Sequence, residues 1–200
     1  MVVDDKPMKT ALRRSALTLA LLAAATLPTI AAQRPSVRAI DAQHSKMTIY
    51  VDKQGLFSAL ADNHVIDAPI TAGRYDPLSR SVELTIESAR IQVLDQHYRD
   101  NVQKTMDAQV LEVSKYPTIT FRSTSIDERD PKRWIVNGNL TLHGTTRAIT
   151  LQVVPADASH FNGSTTIRQT EFGITPIKVM GGAVSVKDDV KVDFDIVLSP

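Results

Sequence analysis

Residues 116–153 read YPTITFRSTSIDERDPKRWIVNGNLTLHGTTRAITLQV, and this stretch decides the fold. Apolar and polar residues alternate through it in three successive runs, which begin at Ile119, Trp134 and Ile149. Alternation with a period of two is typical of β-strands that bury one face and expose the other to water. The stretch is therefore predicted to form an antiparallel meander that curls around its apolar face.

Within the meander, the tripeptide His143-Gly144-Thr145 predicts the turn between the second and third strands. Asn137-Gly138 is also a hairpin signal, but a turn there would leave arms of three residues. One continuous second strand with a bulge at Gly138 is therefore the preferred interpretation.

Similar patterns flank the meander on both sides. Further strands are predicted at 39–53, 63–75, 81–91, 159–174 and 188–198, and residues 179–186 contain a flexible turn at Gly181-Gly182. Pro69 is expected at an edge or bulge, because proline cannot donate to a strand ladder. About eight strands without βαβ alternation indicate an antiparallel barrel or sandwich. A closed barrel of about eight strands just encloses its own side chains or one small ligand.

Only residues 95–113 switch to helical periodicity. Their apolar residues are four apart, at Tyr98, Val102, Met106 and Val110. Asp95 is the predicted N-cap of this main helix, and Pro117 prevents it from continuing. A second, shorter helical turn at 55–62 could plug one end of a barrel.

The composition excludes several classes of function. The formal net charge is +1, from 23 basic and 22 acidic residues, so no basic surface for nucleic acid is expected. The chain has no cysteine, which excludes disulfides, thiol nucleophiles and cysteine-bound metals.

The N-terminus resembles a secretory signal peptide. Lys9, Arg13 and Arg14 precede an apolar run at 15–27, and small residues suitable for cleavage follow at 31–32. The alternative is a membrane anchor, but a helix of about 13 residues spans roughly 20 Å, short of a hydrocarbon core of about 30 Å. Residues 1–32 are thus predicted to be removed on export to a periplasm, with a leader at 33–38 and one domain at 39–200.

Six local patterns, in the same order along the chain, resemble the YceI-like family of periplasmic polyisoprenoid-binding proteins. The patterns are Ile40-Asp41 with His44-Ser45, Gly73-Arg74-Tyr75-Asp76, Arg99-Asp100, the run from Tyr116 to Thr124, the run from Gly138 to Arg147, and Phe172-Gly173-Ile174. The resemblance covers residues 39–198. It implies an all-β fold, a lipocalin-like antiparallel eight-stranded β-barrel with one main α-helix, whose cavity takes a polyisoprenoid or quinone-like lipid. It also implies a protein that binds without catalysis and needs no cofactor.

The inward parity of the strands supplies the candidate ligand contacts. These apolar residues are Ile49, Val51, Val82, Leu84, Ile86, Ile119, Phe121, Trp134, Val136, Leu140, Leu142, Ile149, Leu151, Val192, Phe194 and Ile196. Alternation alone favours a solid core in which these residues fill the barrel. The resemblance favours a lipid cavity.

A few polar residues are added to the candidate site. Ser88, Arg90, Ser123 and Ser125 continue the inward parity of their strands, which suggests a polar mouth where Arg90 and Ser123 meet a lipid head group. Arg90 could pair with a phosphate or donate to a quinone oxygen. His64 is expected to line or cap the cavity, whereas His143 is expected in a solvated turn.

Two rival functions remain open. The first is an enzyme acting on such a lipid, with His64 and Asp62, although no hydrolase or metalloprotease motif accompanies them. The second is a ligand-free structural or stress-response barrel, with Trp134 and Phe121 blocking the lumen. A homodimer is also left open.

Overall fold

The computed structural model describes Met1, residues 36–55 and residues 63–200. Apart from Met1, the predicted signal peptide lies outside the described residues, as do half of the predicted leader and nearly all of the predicted helical turn at 55–62. Arg38, the last residue of the predicted leader, already belongs to the first strand. Its guanidinium donates to the carbonyl oxygen of Ser199 at 2.7 Å, which ties the start of the domain to its end.

Fourteen strands, most of them in the predicted positions, make up the described fold. They are β1 (Arg38–Ala39), β2 (Lys46–Val51), β3 (Lys53–Gln54), β4 (His64–Asp67), β5 (Ala72–Asp76), β6 (Ser81–Glu87), β7 (Gln92–Val93), β8 (Thr118–Asp130), β9 (Arg133–Leu142), β10 (Thr145–Pro155), β11 (His160–Arg168), β12 (Lys178–Val179), β13 (Val184–Val186) and β14 (Asp189–Val197). Among the described residues the one α-helix is α1 (Arg99–Thr105), and short 3-10 turns occupy Ser88–Arg90, Gln169–Phe172 and Met180–Gly182.

The main sheet is antiparallel, in the order β1-β5-β6-β8-β9-β10-β11-β14-β2-β4-β7. Its closure depends on the bent segment 64–76, which contains β4 and β5. The first half of this segment pairs with β2, and the second half pairs with β6. Because both ends of the sheet order meet on one segment, the sheet closes into a barrel. Counting β1/β2, β4/β5 and β6/β7 as three interrupted strands gives the eight predicted positions around it.

The bend in segment 64–76 is held by backbone hydrogen bonds on both sides. The amide of Ala68 donates to Met47 and the amide of Thr71 donates to Thr85, each at 2.9 Å. Pro69 lies between them, where its missing N–H leaves no gap in a ladder. The predicted irregularity at Pro69 is therefore confirmed.

The barrel has two unlike ends. Short turns join β5 to β6, β8 to β9 and β10 to β11, and we call this the turn end. At the opposite end, β2 continues into a small sheet of β12, β13 and β3, and β6 is followed by the segment that carries α1. We call this the helix end.

The helix differs from its prediction. It starts at Arg99 after Tyr98, whose φ of 56° is left-handed and whose side chain is 76% exposed. Asp95 is not its N-cap, because the Asp95 carboxylate instead accepts from the amide of Val65 at 3.1 Å. The helix continues as a π-helical turn, Met106–Val110, in which Leu111 donates to Met106.

The predicted strand at 81–91 ends early, at Glu87. The next residue, Ser88, begins a 3-10 turn and is almost completely buried. Its hydroxyl donates to the carbonyl oxygen of Tyr116 at 2.7 Å, and its amide donates to Pro117 at 2.9 Å. These two bonds hold Ser88 against the start of β8, so it does not reach a polar mouth.

The predicted bulge lies opposite Gly138 rather than at it. Gly138 pairs with Ser123 and Asn137 pairs with Ser125, so Thr124 is the extra residue, in β8. Phe121 lies across Gly138, and a Cβ at Gly138 would be 2.3 Å from the Phe121 ring. The glycine therefore makes room for an aromatic ring on the neighbouring strand.

We predict that Gly138→Ala lowers the free energy of unfolding by about 1–3 kcal/mol, because the ring of Phe121 must move out of a packed interior. Asn139→Ala is the control, because Asn139 is exposed on the same strand. We expect the control to change stability by less than about 0.5 kcal/mol. Urea denaturation measures both, and equal stability of the two variants would contradict the predicted role of Gly138.

Candidate functional site

The barrel encloses an apolar cavity of about 230 Å³. Side chains from the barrel strands line it, and residues of the helical segment and of the 3-10 turn after β11 complete it at the helix end. The described lining residues include no lysine, arginine or histidine. A cavity with such walls favours an uncharged, hydrocarbon-rich occupant.

All of the apolar residues proposed from the sequence lie on this cavity. The structure brings together Ile49, Val51, Val82, Leu84, Ile86, Ile119, Phe121, Trp134, Val136, Leu140, Leu142, Ile149, Leu151, Val192, Phe194 and Ile196. They come from six strands, and the alternation of each strand points them inward. Whether they bind a ligand stays a prediction.

The three polar candidates lie elsewhere. Arg90 is exposed on the 3-10 turn that ends β6, and His64 lies on a separate, smaller pocket beside the small sheet. Ser123 is buried, and its hydroxyl accepts from the amide of Val82 at 2.9 Å. Ser125, beyond the bulge, is exposed, and its hydroxyl accepts a hydrogen bond from the side-chain amide of Asn137 at 3.1 Å. The structure therefore does not form the polar mouth that strand parity predicted.

Sequence reasoning missed several lining residues. Val110 and Leu111 both face the cavity, because the π-helical turn widens the helix there. Ile126 lines the cavity because the bulge at Thr124 reverses the parity of β8. The spacing of four along the helix was a usable signal for Val110, whereas nothing in the local sequence locates the bulge on β8.

Three side-chain contacts hold the helical segment over the helix end. His64 Nδ1 lies 2.5 Å from Asp95 Oδ2, which fixes the chain before α1 to β4. His143 Nε2 lies 2.6 Å from Glu112 Oε2, which fixes the chain after the helix to the β9–β10 turn. Gln103 makes the third contact, from the middle of α1.

The His143–Glu112 contact forms at the predicted turn, but His143 is not solvated. Its side chain is only 11% exposed, and its ring lies 4.3 Å from that of Tyr116, centroid to centroid. His143 and Glu112 both adopt left-handed backbone conformations, with φ of 51° and 45°. Such conformations are uncommon for residues other than glycine, so the surrounding contacts must hold them.

Gln103 joins α1 to the edge strand β7. Its Oε1 accepts from the amide of Val93 at 2.8 Å, and its Nε2 donates to the carbonyl oxygen of Ile91 at 2.9 Å. Val93 and Ile91 are both almost completely buried. The Gln103 side chain thus satisfies two backbone groups that water cannot reach.

An aromatic cluster lies at the turn end. Phe161 packs between Trp134 and Tyr75, with ring centroids 5.4 Å and 6.5 Å away. Burial raises the pKa of the Tyr75 hydroxyl, and the negative charge of Glu128 raises it further, so Tyr75 stays neutral. The Oε1 atom of Glu128 is buried without a hydrogen-bond partner among the described residues.

Two further polar side chains, Thr165 and Gln169, line the cavity. The Thr165 hydroxyl donates to the carbonyl oxygen of Thr150 at 3.2 Å. Gln169 is 8% exposed, and its Nε2 donates to the carbonyl oxygen of Lys187 at 2.8 Å.

The described part of the chain carries neither a metal-binding cluster nor a membrane-spanning helix. Residues 36–55 and 63–200 bring together no cluster of three histidine, aspartate or glutamate side chains that could hold a metal ion. None of the helices in these residues has the length and hydropathy needed to cross a membrane.

Comparisons with known proteins agree with this architecture. The sequence model of the YceI-like domain matches residues 39–198. A UPF0312 protein of Vibrio cholerae is 28% identical over 128 residues, which cover 60% of this chain and 66% of that protein. A UPF0312 protein of an Enterobacter strain is 26% identical over 147 residues, covering 68% of this chain and 73% of the relative.

Two solved structures share the fold. Burkholderia cenocepacia BcnA is 22% identical to this chain, with a TM-score of 0.59. The match covers 80% of this chain and 99% of the BcnA chain. A polyisoprenoid binding domain from Saccharophagus degradans is 15% identical to this chain, with a TM-score of 0.60. The match covers 83% of this chain and 99% of that domain's chain. At these identities the likeness establishes the fold alone.

We predict that Gln103→Leu lowers the free energy of unfolding by about 1–3 kcal/mol, because it leaves buried backbone groups of β7 without partners. Gln109→Leu is the matched control, because Gln109 is exposed on the π-helical turn. We expect the control to stay within about 0.5 kcal/mol of the unsubstituted protein in chemical denaturation. If both substitutions had the same effect, Gln103 would not be what fixes α1 to β7.

Proposed function

The chain belongs to the YceI-like domain family, and from that premise we propose that it binds a polyisoprenoid or similar amphiphilic lipid inside the barrel, without catalysis. The observation that carries the proposal is the apolar cavity of about 230 Å³ in the closed barrel. The description of the Saccharophagus degradans domain as polyisoprenoid binding agrees with this ligand class.

The size of the cavity limits how much of a lipid it encloses in this conformation. An apolar cavity of about 150 Å³ holds one benzene ring. A cavity of about 230 Å³ therefore holds on the order of nine carbons, or about two isoprene units, by the same measure. A longer prenyl chain requires the lumen to widen or the remainder of the chain to lie outside it.

Burial of hydrocarbon is sufficient to hold such a ligand. Each methylene removed from water contributes about 0.8 kcal/mol, so two isoprene units contribute roughly 8 kcal/mol before other terms. Immobilising the ligand cancels part of this gain. The branched aliphatic side chains that dominate the lining match the branched prenyl chain in polarity.

The enzymatic alternative has less support. His64 is bound to Asp95 and lies on the small pocket outside the lumen, and Asp62 lies outside the described residues. A lipid in the cavity would therefore not reach His64. Turnover of a prenyl lipid by the purified protein, abolished by His64→Ala, would establish the alternative.

The ligand-free alternative requires a filled lumen. Trp134 and Phe121 were the residues expected to block it, and both instead lie on the wall of the cavity. The cavity between opposite walls of the barrel favours ligand binding over a filled interior. A homodimer stays open.

We further propose that the protein acts in a periplasm after removal of residues 1–32. The support is the order of the N-terminal sequence, with basic residues, an apolar run of 15–27 and small residues at 31–32.

The binding proposal predicts that Thr165→Trp lowers the affinity for a prenyl lipid at least tenfold, because the indole occupies the lumen. Thr166→Trp is the matched control, since Thr166 is exposed one position along the same strand. Displacement of a cavity-bound fluorescent dye by geraniol measures both affinities. Equal affinities, with both variants folded by circular dichroism, would refute binding in the lumen.

Native mass spectrometry tests the ligand itself. Protein purified from its own periplasm is expected to carry an added mass that lipid analysis identifies as an isoprenoid. Protein carrying the Thr165→Trp substitution is the control and is expected to lack this mass. A ligand-free spectrum of the unsubstituted protein under gentle conditions would favour the structural alternative.

The location proposal predicts that the full chain, expressed in a Gram-negative bacterium, is recovered from the periplasm with an intact mass that lacks residues 1–31 or 1–32. Leu21→Arg places a charge in the apolar run and is expected to block export. Full-length mass in the cytoplasmic fraction without the substitution would contradict the prediction.

A further inference from the structure

Gln169 is a buried polar side chain of the cavity, and one of its hydrogen-bonding groups has no partner among the described residues. It is the first residue of the 3-10 turn that follows β11, at the helix end of the barrel. Its side chain lines the cavity, and only 8% of the residue is exposed to solvent. A glutamine so placed among aliphatic residues costs free energy unless its amide finds partners.

The local contacts fix the orientation of the Gln169 amide. Its backbone amide donates to Asp188 at 3.0 Å, and its backbone carbonyl accepts from Ile174 at 3.2 Å. Its Nε2 donates to the carbonyl oxygen of Lys187 at 2.8 Å, so the nitrogen is assigned by an oxygen that can only accept. The remaining oxygen, Oε1, receives no hydrogen bond from the described residues.

The other polar groups of the lining are placed differently. The Thr165 hydroxyl already donates to Thr150 within the sheet, and Tyr75 and Trp134 belong to the aromatic cluster at the opposite end. Gln169 is therefore the lining residue at the helix end whose amide oxygen receives no hydrogen bond from the described residues.

The charge of the cavity selects among head groups. An amide oxygen accepts hydrogen bonds, so it attracts a hydroxyl and repels a phosphate anion. The described lining offers no cationic side chain that could compensate a phosphate in the lumen. Arg90, the residue that the sequence suggested for that purpose, is exposed outside the cavity.

We propose that Gln169 selects the head group of the ligand, with its Oε1 accepting a hydrogen bond from the hydroxyl of a neutral, prenol-like amphiphile. The inference rests on the proposed lipid-binding function and adds the chemical class of the head group. It also sets the direction of the ligand, with the hydroxyl at the helix end and the hydrocarbon extending toward Trp134 at the turn end.

The experiment compares three probes of equal chain length: geraniol, geranyl methyl ether and geranyl phosphate. Trp134 is the single tryptophan of the chain and lines the cavity, so its fluorescence reports occupancy, with calorimetry as the second readout. Geraniol is expected to bind about fivefold more tightly than the ether, which cannot donate, as one net hydrogen bond allows. Geranyl phosphate is expected to bind more weakly than both.

Two variants assign the preference to one side chain. In Gln169→Leu the ratio of ether to geraniol dissociation constants is expected to fall to about one. In Thr165→Val, which removes the hydroxyl that β11 contributes to the lining, the ratio is expected to stay near five. A ratio that survives Gln169→Leu, or that Thr165→Val also abolishes, would overturn the assignment to Gln169.

The unsubstituted protein gives a test that does not depend on whether the variants fold. If it binds all three probes equally, the head-group inference fails while the proposed lipid binding stands. If it binds none of them, the proposed function itself fails.

Discussion

Closure of the sheet on segment 64–76 is the constraint on which the rest of the structure depends. One half of the segment pairs with β2 and the other half pairs with β6. Without this double pairing, the sheet would remain open along two edges, and its apolar face would be exposed to water. With it, the inward side chains of the barrel strands face one another across a common lumen. The bend at Pro69 is what allows one segment to serve both neighbours.

Closure alone does not leave space inside the barrel. A barrel of about eight strands is near the size at which side chains fill the interior. Here the ring of Phe121 packs on Gly138 and the ring of Phe194 packs on Gly163, and a Cβ at either glycine would be 2.3 Å from the ring. Rings that lie against glycines on neighbouring strands occupy the wall rather than the centre. This arrangement helps to explain why an apolar cavity persists between walls that carry large residues.

The two ends of the barrel have different chemistry, and this difference gives the cavity a direction. The turn end holds an aromatic cluster around Phe161, with the neutral Tyr75 beside it. The helix end is covered by the helical segment, which Asp95 and Gln103 fix through hydrogen bonds. The side-chain amide of Gln169, from the turn after β11, lies at the same end. Hydrogen bonds to a helical segment can be exchanged more readily than a packed aromatic cluster can be opened. The polar end of an amphiphile is therefore better matched to the helix end.

The fold class and the apolar wall of the cavity follow from the pattern of the sequence. Strict alternation with a period of two leaves each strand only one face to bury, so every inward apolar residue proposed from it lies on the cavity. Tertiary structure decided the positions of the polar groups. The extra residue Thr124 reverses which side chains of β8 point inward. The Asp95 carboxylate accepts from β4 instead of capping the helix. The Ser88 hydroxyl donates to the carbonyl oxygen of Tyr116. Polar side chains follow whichever hydrogen-bond partner the finished fold brings within about 3 Å, and a local pattern contains no information about partners that lie far along the chain.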